Sequence, residues 1–174
     1  VEVSISGGSI RTSTGPAGRV TVTLEERVYA NTAREVDEIL ADYDVVVAQD
    51  GGTVTVKALQ KEGVRSRSWR SPSFSTTIEV PADVRLNLGT SGGRIEVGGE
   101  RSASMDAHTS GGSVTVDGGT GALALRTSGG SIEVGRALSS LVAETSGGSV
   151  RVGYVGPAAD NINLQTSGGS IHAD

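Results

Sequence analysis

TSGGRIEV at residues 90–97, TSGGSVTV at 109–116, TSGGSIEV at 127–134, TSGGSVRV at 145–152 and TSGGSIHA at 166–173 are five versions of one octet. A weaker copy, ISGGSIRT, stands at 5–12. From Ser91 onward, successive motif serines are 19, 18, 18 and 21 residues apart. Self-similarity at a near-constant period marks a repeat architecture, in which each unit buries its apolar face against the next.

Each period holds two short alternating stretches. After the glycines come Ile95/Val97, Val114/Val116, Ile132/Val134, Val150/Val152 and Ile171/Ala173. Leading into each TSGG are Leu86/Leu88, Met105/Ala107, Leu123/Leu125, Leu141/Ala143 and Ile162/Leu164. Alternation at period two sends neighbouring side chains to opposite faces, so these are strands with one face buried and not helices of period 3.6.

Such strands suit either a hairpin meander or the coils of a β-solenoid. Identity of equivalent residues favours the solenoid, because stacked coils set like over like about 4.8 Å apart. The stack predicts a threonine ladder of Thr90, Thr109, Thr127, Thr145 and Thr166, turned to the inside or the corner. It also predicts glycine pairs at one corner, where positive φ is expected: Gly92/Gly93, Gly111/Gly112, Gly129/Gly130, Gly147/Gly148 and Gly168/Gly169. The outward octet position carries Arg11, Glu96, Thr115, Glu133, Arg151 and His172. Stacking would put Glu133 beside Arg151 and Thr115 between two carboxylates, which keeps like charges apart.

The first half is less regular. Val1/Val3/Ile5 and Val20/Val22/Leu24 read as strands of an opening coil, joined through Thr14-Gly15-Pro16-Ala17-Gly18. Residues 32–43 read as a short helix, with Thr32 and Glu35 in a capping-box pattern and Val36, Ile39, Leu40 and Tyr43 on one face. That helix is expected to cover an edge or end of the stack. A hairpin with Asp50-Gly51 as its turn follows over 44–58. After a polar loop at 59–71, strands at 74–80 and 84–88, broken by Pro81, lead into the repeats. The expected fold is all-β: one β-solenoid domain over 1–174, with 18–21 residues per coil and one short helix near 32–43. Its parts are an opening coil (1–30), a helical insertion (31–43), less regular coils (44–89) and regular TSGG coils (90–174).

Composition agrees with that architecture. Of 174 residues, 26 are glycine and only five are aromatic, so small aliphatic side chains must build the core. The 15 Lys and Arg against 20 Asp and Glu give a net charge of −5, and no dense basic run exists apart from Arg65, Arg67 and Arg70. A general nucleic-acid binder would need a basic face. No stretch approaches the roughly 18 apolar residues of a membrane span. No secretory apolar region opens the chain, so any signal peptide is expected to have been removed. The lack of cysteine excludes disulfides, thiolate metal sites and cysteine nucleophiles.

The octets, with the strand-then-proline entry Ile78-Glu79-Val80-Pro81 in IEVPADVRLNLGTSGGRIEV, resemble the bacterial "putative-adhesin" family of β-strand-repeat envelope proteins. The resemblance covers most of the chain, with 31–43 and 59–71 the least typical parts. It implies a right-handed β-helix, export to the cell surface and no established enzymatic chemistry. No functional residues come with it.

The residues themselves offer no convergent chemistry. His108 and His172 lack an Asp or Cys partner at ligand spacing, and the repeated serines form no G-x-S-x-G elbow. Glu96 and Glu133 fall two coils apart, about 10 Å, a separation that suits an inverting glycosidase pair. An exposed flat face, however, gives no pocket to raise a pKa. Gly118–Leu123 carries Leu where calcium-binding nonapeptides carry Asp, and SGGS precedes no helix with GK[ST]. An ice-binding face would need regular outward threonine pairs, which the mixed outward columns lack. No catalytic residue, cofactor or metal is therefore expected.

Contact residues are expected at Arg65, Arg67, Trp69 and Arg70, since Trp and Arg are enriched at hot spots. Val1, Val3 and Ile171 are expected at the bare ends of the stack. A bare solenoid end leaves a row of unpaired N–H and C=O groups. Either copies meet head-to-tail and propagate as a fibre, or the chain is a fragment whose next coils follow; both readings stand. The functional expectation is a non-enzymatic structural protein of the cell surface that forms filaments. The alternative is a monomeric adhesin-like or envelope-stress binding domain using its flat faces or the 59–71 loop.

Overall fold

The computed structural model describes residues 1–64, 71–157 and 159–174. Arg65, Arg67, Trp69 and Arg70 lie outside the described residues. The described residues are all-β apart from one helix. The first half contains β1 (Glu2–Ile5), β2 (Ile10–Thr14), β3 (Thr21–Arg27), α1 (Ala33–Leu40), β4 (Tyr43–Asp50), β5 (Thr53–Gln60) and β6 (Ser73–Val80). The second half runs through β7 (Leu86–Thr90), β8 (Ile95–Arg101), β9 (Met105–Thr109), β10 (Val114–Gly119), β11 (Leu123–Thr127) and β12 (Ile132–Ala137). It ends with β13 (Leu141–Thr145), β14 (Val150–Val152), β15 (Ile162–Thr166) and β16 (Ile171–Ala173).

The strands form two eight-stranded sheets. One has the order β15-β13-β11-β9-β7-β1-β5-β4, the other β16-β14-β12-β10-β8-β2-β6-β3. From β7 onward the chain alternates between sheets, and from β9 onward each strand lies parallel to the one two before it. The inner face of the first sheet carries Leu88, Ala107, Leu125 and Ala143 in register, a large–small alternation that fits a narrow interior. The other sheet contributes Ile95, Val114, Ile132 and Val150. Among the described residues, Phe74 is the one aromatic ring in the buried core.

The strand order corrects the expected opening coil. β1 lies between β5 and β7, and β2 between β6 and β8, so the first two strands sit inside the stack. Val3 is 3% exposed, and the Val1 nitrogen donates to the Arg85 carbonyl at 2.7 Å. Val1 and Val3 therefore form no end contact. The physical reason is that ISGGSIRT presents both edges of a regular coil, so it can be sandwiched as readily as it can terminate. β3 is not its continuation either: it crosses to the far side of β6 and pairs antiparallel with it.

At that far end β4 also runs antiparallel, to β5. The two-residue connection is Gly51-Gly52, because Asp50 already pairs with Thr53; Gly51 has φ +54°, which glycine adopts at little cost. The helix is shorter than 32–43. Thr32 caps it, accepting from the Glu35 N–H at 3.2 Å, and Glu35 accepts from the Asn31 N–H at 2.8 Å. It ends at Leu40 with Ala41 as its C-cap, and Tyr43 opens β4 with its ring 5.3 Å from that of Phe74. Tyr43 leaves the helical face because packing on Phe74 draws it into the sheet.

Candidate functional site

The octet builds one continuous corner. Thr90, Thr109, Thr127, Thr145 and Thr166 stand in register on successive strands, and the first four are nearly fully buried. Each Oγ1 donates to the second-glycine carbonyl of the adjoining octet: Thr109 to Gly93 at 2.9 Å, Thr127 to Gly112 at 2.7 Å, Thr145 to Gly130 at 2.7 Å and Thr166 to Gly148 at 2.6 Å. Thr90 does the same to Gly8 at 2.9 Å. The oxygens of Thr109, Thr127, Thr145 and Thr166 also accept from the second glycine of their own octet, as Gly130 N–H to Thr127 at 3.3 Å. A serine row runs alongside, Ser131 N–H donating to Ser113 Oγ and Ser149 N–H to Ser131 Oγ.

The corner glycines have a different cause from the one expected. Positive φ occurs at Gly8, Gly18, Gly51, Gly63 and Gly99, and at none of the ten glycines of the five full octets. What the second glycine meets is backbone. A Cβ on Gly93, Gly112, Gly130, Gly148 or Gly169 would come closer than 3.0 Å to the glycine carbonyl of the neighbouring coil. The first glycine is less confined: a Cβ on Gly92 meets nothing within 4 Å, one on Gly129 meets the Gly111 oxygen at 3.3 Å, and Gly111, Gly147 and Gly168 are similar to Gly129.

Buried threonine is not always paired. Thr12 and Thr76 have buried hydroxyls without a hydrogen-bond partner. Thr12 lies in register with Val97. Opposite results are expected from one substitution: Thr127→Val should cost about 2 kcal/mol by orphaning the Gly112 carbonyl and the Gly130 N–H. Thr12→Val should be neutral or add up to about 1 kcal/mol. Urea unfolding of both variants checks the pair.

Outside, the octet column reads Arg11, Glu96, Thr115, Glu133, Arg151, His172 in continuous register. Glu96 accepts from Arg94 at 3.0 Å and from Arg11 at 2.8 Å, and these two guanidiniums hold its carboxyl below the usual range, Arg94 contributing most. Glu96 is thus kept ionised, the opposite of what a general acid needs. His172 lies 3.1 Å from Asp174 and is exposed. On the other sheet Arg126 bridges Asp106 at 3.5 Å and Glu144 at 3.0 Å. Exposed pairs of this kind contribute little to stability.

A concavity of about 660 Å³ lies along this corner, bounded by His108, Arg126, Glu144 and Gln165 on one side and Ser128, Ser146 and Ser167 on the other. It reaches Leu164 and Ile171 at the end of the stack, where Ile171 is 47% exposed. Among the described residues, no group of three or more His, Cys, Asp or Glu side chains is placed to hold a metal. No helix among them is long and apolar enough to cross a membrane.

One residue that the sequence reading did not single out is central to the packing. Arg101, 1% exposed, donates to the carbonyls of Val80 at 3.3 Å, Pro81 at 2.6 Å and Val84 at 3.0 Å. Burial lowers its pKa, and Asp83 opposes that shift. Its strand neighbours in register are Gly119 and then Ala137, whose small size leaves room for the guanidinium. An arginine at an inward-facing position beside such residues was the available signal.

No family model matches the chain. No curated protein matches it either. Among solved structures it is similar to a Bacteroides fragilis protein described as a "putative adhesin", at 14% identity and a TM-score of 0.46, over 99% of this chain and 91% of that one.

Proposed function

We propose that the chain is a β-solenoid, right-handed as its octets' resemblance implies, and a non-enzymatic structural protein of the bacterial cell surface. It acts as a rigid rod that associates end to end into an extracellular filament. The observation that carries this reading is the residue-for-residue register of successive coils, in which threonine lies on threonine and glycine approaches glycine. Such a stack is stiff along its axis and is extended by adding strands to its two sheets. β15 and β16 expose that surface: Ile162 and Leu164 are partly open and Ile171 more so, whereas their counterparts Leu141, Ala143 and Val150 are buried.

Negative-stain electron microscopy at micromolar concentration tests the reading. Eight strands per sheet give a rod about 38 Å long at about 4.8 Å per strand. Fibres or end-joined rods are expected, and Ile171→Lys should shorten them. Single short particles that persist at high concentration, with Ile171→Lys indistinguishable from the parent, would overturn it. The corner groove supports a second reading, a monomeric surface-binding domain. Its polar flank of His108, Arg126, Glu144 and Gln165 offers hydrogen-bonding groups along the rod.

A further inference from the structure

The end of the stack opposite β15 and β16 is formed by β3 and β4, and it carries a feature the repeats lack. β4 reads Tyr-Asp-Val-Val-Val-Ala-Gln-Asp, and Val45, Val46 and Val47 are 46%, 44% and 55% exposed. Among the described residues β4 is an edge strand, hydrogen-bonded on one side only, to β5. Edge strands in soluble proteins are ordinarily blunted by charge, proline or a bulge. Here the middle of the edge is three valines, and the charges, Asp44 and Asp50, stand outside them.

The backbone of that edge is set up to pair. Lys61 N–H donates to the Asp42 carbonyl, which marks the even-numbered residues of β4 as those whose N–H and C=O face β5. The odd-numbered residues, Tyr43, Val45, Val47 and Gln49, then turn their N–H and C=O outward. Side-chain direction alternates as well: Val45 and Val47 pair with the buried Ala58 and Val56 and so lie on the inner face, while Val46 pairs with Lys57 on the outer one.

We propose that β4 is a self-association strand, and that its occupant is β4 of a second copy in antiparallel, twofold-symmetric pairing centred on Val46. The proposal rests on the end-to-end reading above and names the junction. Among self-pairing registers the choice is made first by matching valine to valine and then by charge within the strand. Centring on Val46 sets Val45 opposite Val47 of the other copy and Asp44 opposite Ala48, with Val46 against Val46. Centring on Val47 instead would set Asp44 opposite Asp50 within β4, and like charges directly opposite are destabilising; the Val46 register brings Asp50 opposite Asp42, which lies outside the strand. Centring on Val45 would break the valine match by setting Val46 opposite Asp44. In the Val46 register four valines, two from each copy, close over the open inner face at the junction, and the outward N–H and C=O groups of Val45 and Val47 pair reciprocally. Such an isologous contact closes a dimer, and each first sheet continues into its partner's.

Sedimentation equilibrium on the full chain tests this, with Val46→Lys as the variant. Lysine suits an exposed strand edge, so the monomer should keep its circular dichroism spectrum, but two lysines would face each other across the twofold axis. The dimer dissociation constant should rise about a hundredfold or more. Mixing Val46→Lys with Val46→Asp should restore a heterodimer, which a merely misfolded variant would not do. In fibres the same pairing requires like ends to meet, giving an axial repeat of about two rod lengths, or roughly 77 Å. Association that survives Val46→Lys but is lost with Ile171→Lys would overturn the β4 junction and keep end-to-end assembly at the other edge. A chain that stays monomeric with both edges intact would overturn both, leaving the β4 edge to a strand from a different protein.

Discussion

Gly130→Ala is expected to unfold the chain or to cost more than about 4 kcal/mol, a size reserved for mutations with a definite steric or burial fault. The added methyl would meet the carbonyl oxygen and carbon of Gly112 and lie 2.6 Å from the Ser113 nitrogen. All three are backbone atoms, so no side chain can swing away. Relief requires the two coils to move apart, and that movement breaks what the corner was built to make. Thr145 donates to the Gly130 carbonyl, Gly130 N–H donates to Thr127, and Thr127 donates to the Gly112 carbonyl. Steric cost and lost hydrogen bonds therefore arrive together.

The control sits one residue earlier in an octet. Gly92→Ala adds a methyl with nothing within 4 Å, and the position does not have positive φ. It should change stability by less than about 1 kcal/mol, and can gain from the reduced freedom of the unfolded chain. Gly129→Ala, at 3.3 Å from a backbone oxygen, should fall between. The ranking Gly92, Gly129, Gly130 is what close approach dictates. If positive φ were the reason for the pairs, both glycines of an octet would respond alike. Urea melts of the three variants separate these accounts.

That contrast also shows what the sequence could and could not convey. Alternation in Val114/Val116 or Leu123/Leu125 is a local property, and the strands lie where it places them. Identity of the octets is a relation between neighbours, and it carried the register of Thr109 on Thr127 and of Thr115 between Glu96 and Glu133. Spatial order is a different matter. ISGGSIRT has the same two stacking edges as any later octet, so nothing in it says that β6 lies on one side and β8 on the other. The glycines posed a similar ambiguity, because a positive φ and a near backbone demand the same residue. The three valines of β4 read as an ordinary strand; only the strand order shows that no further strand covers them.

Arg101 is the case where the sequence looked most ordinary and the structure asks most of one side chain. Because β1 lies between β5 and β7, and β2 between β6 and β8, the chain leaving β6 must pass them to reach β7, and it does so through residues 81–85. This crossover cannot use the ladder hydrogen bonds of a regular coil. Its carbonyls are met instead by the Arg101 guanidinium, at Val80, Pro81 and Val84, and by the N–H groups of Ser102 and Ala103, both at Ala82. Arg101→Met keeps much of the volume and removes every one of the side-chain donors. The loss should be about 3 kcal/mol or more, since hydrogen bonds from a charged donor are the strong ones and the carbonyls are left without their partner. Arg101→Lys keeps the charge but not the planar fork, and should recover only part of it. The location of the damage is as informative as its size. Each strand pairs only with its neighbours in its sheet, so amide exchange should speed up across 80–90 and in β1 while β11 to β14 remain protected. A loss below about 1 kcal/mol, or loosening spread evenly along the rod, would show that the crossover is held by its backbone contacts and not by the buried arginine.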